Sequence, residues 1–189
     1  DCCFKKFVNL NRFMLNFNKI IEIIISLQII IISSFMSVFI SLPFTNKTYQ
    51  SLEMPITWQV PLIILITLIF KGEIVIKAFS IYILIGLFFL PVFHNGGSVG
   101  YLLTPNFGYL IGLYPLIMII DQLNKKNHTI YYYELLRNGI IGIFGMHLIG
   151  IIYSSIQFLY FKQLNLLLYS ISKYSLGKIG YHLLMLIPI

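Results

Sequence analysis

Twenty residues from Ile23 to Leu42, IIISLQIIIISSFMSVFISL, pass without a charge, and Asn138 to Phe161 do the same for 24. About 20 apolar residues let a helix cross the hydrocarbon of a bilayer. In that medium only helices or closed barrels satisfy every backbone polar group. These runs are too long and unbroken for barrel strands, so the chain reads as an all-α membrane protein, a bundle of transmembrane helices with irregular outer loops. Composition points the same way, with 58% of residues hydrophobic and 10% charged, against about 25% charged in an ordinary soluble domain. Three further stretches qualify as spans with kinked or irregular ends: Met54 to Phe70 with Pro55 and Pro61, Ala78 to Phe93, and Val99 to Ile120 with Pro105 and Pro115. After Lys162 only shorter apolar pieces remain, at 163–172 and 179–189. About five complete helices are therefore expected in one membrane domain, 1–189, with the chain cut before a sixth.

The formal charge of +7 is a topology signal, because basic residues flanking short loops stay on the cytoplasmic side. With the N-terminus inside, 1–22 is a basic cytoplasmic segment. Lys5, Lys6, Arg12, Lys19, Lys71, Lys77, Lys125, Lys126 and Arg137 then fall on the same side, while Lys47, Lys162, Lys173 and Lys178 fall outside. Charges that alternate with spans suit a multi-pass protein of the cell inner (plasma) membrane, with the lipid bilayer and not nucleic acid as partner. Cys2 and Cys3 are adjacent and give no disulfide framework. Glu22, His147 and His182 lie in or near apolar segments without clustered ligand spacing, so no metal site is expected.

This orientation puts residues 43–57 and 91–105 on one outer face. Both segments are rich in Pro, Gly, Thr and Asn. Irregular backbone at membrane depth is tolerated where it lines a cavity, and glycines such as Gly96, Gly97 and Gly100 permit close backbone approach to a ligand. His94, Asn95, Ser98, Tyr101, Thr104, Asn106 and Tyr109 supply the few polar tips that an apolar pocket needs. On the first span, Ser33, Ser37 and Ser41 recur every fourth residue, a spacing of small residues that lets a partner helix approach.

Three phrases in this order, PITWQVP at 55–61, GLFFLPVFHNGG at 86–97 and GYLLTPNFGYLIG at 100–112, resemble BioY, the biotin-binding S component of energy-coupling-factor transporters, and its cyanobacterial branch in particular. The resemblance implies a fold of six helices and no catalysis, and the chain itself shows no phosphate loop or catalytic triad. It implies biotin as transported ligand with no cofactor, and as partners a transmembrane coupling subunit and two cytoplasmic ATPases. The substrate-binding candidates are Thr57, Trp58, Gln59, His94, Asn95, Gly96, Gly97, Tyr101 and Tyr109. The serine stripe stands where the family packs its first helix on the coupling subunit. Ser98-Val99 offers no charge where some members have an arginine, so loop amides, Lys173 or Lys178 are left to meet biotin's carboxylate. A Pro-Gly-Asp-like motif that opens the family's sixth helix has only Pro188 as its apparent counterpart. An S component for thiamine or riboflavin, or a structural membrane protein without ligand, are the alternatives.

Overall fold

A computed structural model of the chain describes residues 2–42, 50–94, 96–126, 131–162 and 164–187. The first element, α1, runs from Cys2 to Phe35, and its apolar part able to cross a bilayer is Phe17–Phe35. The expected span to Leu42 ends early. Residues 37–42 form strand β1 (Ser37–Leu42), which pairs antiparallel with β2 (Gln50–Thr57). The segment SVFISL is rich in β-branched and aromatic residues, and a short apolar run of this kind has the same hydropathy as helix. The register places Phe39 opposite Glu53 and Leu42 opposite Gln50.

The hairpin removes the serine stripe proposed for partner packing. Ser37 and Ser41 lie in β1, beyond the end of the helix, and the Ser41 side chain is outside the described residues. Ser33 is fully buried and donates within its own helix to the Ile30 carbonyl at 2.8 Å. No helical face carries all three.

Helix α2 (Gln59–Ile69) follows β2 directly and is only about 17 Å long at 1.5 Å per residue, roughly half the hydrocarbon thickness. The outer half of that span is therefore extended chain. Helix α3 (Gly72–Phe88) runs back toward the hairpin end of the bundle. A 3-10 turn at Val99–Leu103 leads into α4 (Pro105–Ile111) and, after a break at Gly112, α5 (Leu113–Lys126). Helix α6 (Tyr132–Tyr160) is the second element long and apolar enough to cross by itself. Its buried side carries Gly139, Gly142, Ile143, Met146, His147, Gly150 and Ser154. The opposite side exposes Phe144, Leu148, Ile152 and Ile156, an apolar face suited to lipid.

The sixth rod, expected to be missing, is present. Helix α7 (Leu164–Ile171), a π-helical turn (Ser172–Leu176) and α8 (Gly177–Leu184) follow one another without a break. The sequence hides it because Lys173 and Lys178 interrupt the apolar run and a π turn disturbs the helical period. Pro188 lies outside the described residues.

At the bundle end away from the hairpin, the Gly72 backbone N–H donates to Asp121 Oδ1 at 2.6 Å, and Asp121 Oδ2 lies 2.6 Å from Lys125 Nζ. A carboxylate from α5 thus serves the open N-terminus of α3. A Cβ on Gly72 would sit 2.4 Å from Asp121 Cγ. Gly72→Ala is expected to cost about 1–3 kcal/mol, read as a lower thermal midpoint in detergent. An unchanged midpoint would contradict this lock.

Candidate functional site

The Pro and Gly content of the segments at the hairpin end of the bundle leaves room that side chains do not fill. A cavity of about 110 Å³ is walled by Pro55, Ile56 and Thr57 of β2, Gln59 and Val60 of α2, His94, Tyr101, and Asn106, Tyr109 and Leu110 of α4. Leu113, Met146, Tyr174, Lys178 and His182 complete it from α5, α6 and the sixth rod. A wider vestibule of about 410 Å³ shares Pro55, Ile56, His94, Tyr174 and Lys178 with it and adds Ser37, Glu53, Met54 and Lys173. The shared residues therefore mark the mouth, and Gln59, Tyr101, Tyr109, Met146 and His182 mark the interior. Among the described residues, Lys178 is the one Lys or Arg on the inner wall.

Each polar group is placed by a neighbouring element. Gln59 Nε2 donates to the Tyr82 hydroxyl at 3.3 Å, and Tyr82 donates to the Val92 carbonyl at 3.3 Å. Ser34 Oγ reaches the same carbonyl at 2.8 Å, so α1, α2, α3 and the loop after α3 meet at one point. His94 Nδ1 is 3.2 Å from the Ser34 carbonyl. Lys178 Nζ and Lys173 Nζ each lie 5.5 Å from the Tyr174 ring centroid, a cation–π arrangement that holds both near the mouth. The Tyr109 hydroxyl is buried, with Ser175 and Ser154 as its polar neighbours and no close hydrogen bond among the described residues.

The glycine-rich loop serves as a packing device. Gly96 has φ +114° and closes a two-bond bridge with Phe93, with N···O distances of 2.9 and 3.0 Å. A Cβ on Gly97 would lie 2.5 Å from Pro91 Cα and 2.7 Å from the Gly86 carbonyl oxygen, and the Ser98 N–H donates to that same oxygen at 2.9 Å. The loop backbone is thereby pressed onto the end of α3. Under it runs an aromatic series, Tyr82, Phe93, Tyr101 and Phe107, with successive centroids 5.3, 4.6 and 6.3 Å apart.

Residues 9–180 match the BioY family model. The chain belongs to the BioY family. A probable biotin transporter BioY of Lysinibacillus sphaericus is 30% identical over 99 residues, 52% of this chain, and the match spans 50% of that relative's length. A crystal structure of the S-component for biotin from an ECF-type ABC transporter has a TM-score of 0.60, covering 92% of this chain and 89% of that one at 16% identity. The likeness establishes the S-component fold for this BioY-family chain, and with it an integral membrane protein.

Within that fold, Thr57, Gln59, His94, Tyr101 and Tyr109 come together on the cavity. Trp58 does not line it: the residue precedes α2, and its backbone N–H donates to the Met36 carbonyl at 3.0 Å. Gly96 and Gly97 also stand off the cavity, because their backbones are spent on the Phe93 bridge and the contact with Pro91 and Gly86. Asn95 lies outside the described residues. Sequence reasoning set aside His182 and passed over Met146 and Tyr174, all of which reach the cavity from α6 and the sixth rod.

Proposed function

We propose that this BioY-family chain is the substrate-binding membrane subunit of a biotin uptake system, capturing biotin in the outer cavity for an energy-coupling module. The observation that carries the reading is convergence: the three phrases at 55–61, 86–97 and 100–112 contribute respectively Gln59, His94, and Tyr101, Asn106 and Tyr109 to one cavity with Lys178 at its mouth. The ligand's ureido group both donates and accepts, which an amide such as Gln59 can match. Its apolar bicycle and linker suit walls of Val60, Leu110, Leu113 and Met146. Its carboxylate meets Lys178 at the mouth, where an ammonium is the natural partner for an anion.

Lys47, Lys162, Lys173 and Lys178 are assigned to the outer face and the N-terminus to the cytoplasm, in keeping with the positive-inside rule. A transmembrane coupling subunit and two cytoplasmic ATPases supply the energy, and the chain itself carries no catalytic step. The reading is tested with right-side-out and inverted membrane vesicles bearing the full-length protein. Labelled biotin is expected to bind saturably to the first, with unlabelled biotin competing and thiamine or riboflavin leaving the signal intact. Displacement by thiamine or riboflavin would reassign the ligand, and binding confined to inverted vesicles would reverse the orientation.

A further inference from the structure

Two histidines that are 35 residues apart in sequence meet across the α6–α8 contact: His147 Nε2 lies 3.1 Å from His182 Nδ1. On the far side of His147, Nδ1 lies 3.1 Å from Ser175 Oγ. Ser175 and His147 are each 2% exposed and His182 is 8% exposed, so the series is packed within protein along its length. The series ends at the cavity, because His182 is part of its interior wall and its Nε2 makes no hydrogen bond among the described residues.

The direction of the series follows from donor bookkeeping. Ser175 has a single O–H; His147 Nδ1 lies 3.1 Å from its Oγ, and the Tyr109 hydroxyl is its other hydrogen-bonding neighbour. A buried donor left unmade costs more than an unused lone pair. With the Tyr109 O–H turned to Ser175 Oγ, Ser175 donates to His147 Nδ1 and every donor of the series is used. A neutral imidazole then carries its proton on Nε2, which donates to His182 Nδ1. The same rule applied once more puts the proton of His182 on Nε2.

We infer that His182 is a ligand-contacting residue, donating from Nε2 to an acceptor oxygen of the ligand's buried end, with Ser175 and His147 as positioning residues that hold it in one tautomer. This rests on the biotin reading and deepens it. An acceptor of this kind is a neutral carbonyl, such as the urea oxygen of a bicyclic head, whereas the carboxylate is left to Lys178 at the mouth. Tyr109, whose ring centroid is 5.6 Å from that of His147, packs over the series and shields it.

The test uses full-length protein labelled with 15N at histidine, of which the chain has four. Without ligand, His182 is expected to show a protonated Nε2 and a bare Nδ1. Biotin should shift the Nε2 signal and leave the Nδ1 signal of His147 in place. In equilibrium binding, His182→Phe should weaken biotin roughly 10-fold, the usual scale for one lost buried hydrogen bond. His182→Gln, whose amide N–H can occupy the Nε2 position, should restore affinity to within about 3-fold. Ser175→Ala should give His182 as a mixture of tautomers. A proton on Nδ1 of His182 in the wild type, or saturable biotin binding with an unmoved Nε2 signal, would overturn the inference while leaving the uptake reading intact. The wild-type spectrum decides this even where His182→Phe does not fold. A folded wild type that binds no biotin would overturn both.

Discussion

Lys178→Met is expected to weaken biotin binding roughly 30- to 150-fold, because a hydrogen bond to a charged group contributes about 2–3 kcal/mol. Lys178 is the inner cavity's one Lys or Arg among the described residues, and Met keeps the length and apolar stem of the side chain while removing its charge. The thermal midpoint should change little, since the Tyr174 ring retains Lys173 at 5.5 Å. Biotinamide, which has no carboxylate, supplies the second half of a cycle. Wild type should prefer biotin to biotinamide, and Lys178→Met should bind the two alike. Equal biotin affinities for wild type and variant would move the carboxylate to the vestibule, where Lys173 stands.

The second large effect is on folding and falls on a residue that the sequence presents as a ligand contact. Gly97→Val places a branched Cβ where Pro91 Cα is 2.5 Å away and the Gly86 carbonyl oxygen 2.7 Å away. Both obstacles are backbone, so neither gives way by changing rotamer. The loop must lift, and the Ser98 N–H loses its 2.9 Å bond to Gly86. A loss of about 3 kcal/mol, the upper part of the usual range for overpacking, is expected. It should appear as a markedly lower thermal midpoint in detergent, with biotin binding lost as a consequence of the displaced His94 and Tyr101. A variant with wild-type stability that fails to bind would put Gly97 back on the ligand.

These two positions show what the sequence displays and what it conceals. Long uncharged runs make the membrane spans plain, and three ordered phrases make the outer cavity plain, because Gln59, His94, Tyr101 and Tyr109 sit within them. Hydropathy does not separate the β1–β2 hairpin from helix, since SVFISL satisfies both patterns. Nor does it show the sixth rod, whose π turn at Ser172–Leu176 carries Lys173 and breaks the apolar run. Glycine is ambiguous for a physical reason: a residue without Cβ suits a backbone touching a ligand and a backbone touching another backbone equally well. At Gly97 the second use applies. The His147–His182 contact has no local signature at all, because it forms between two helical rods and depends on their packing.

The bilayer constraint ties these features together. Helix α2 spans about half the hydrocarbon, and the extended backbone that completes the crossing is tolerated because it borders a protein-lined cavity. The same extended segment brings Pro55, Ile56 and Thr57 to that cavity. A cavity at the hairpin end of the bundle is thus a consequence of how the span is built.

The central claim is tested most directly by titrating labelled biotin into the purified full-length protein in lipid nanodiscs, with excess thiamine present throughout. The account predicts saturable binding at one site per chain, unaffected by thiamine. A folded protein with no saturable biotin binding would contradict it, and the outer cavity would then belong to another ligand.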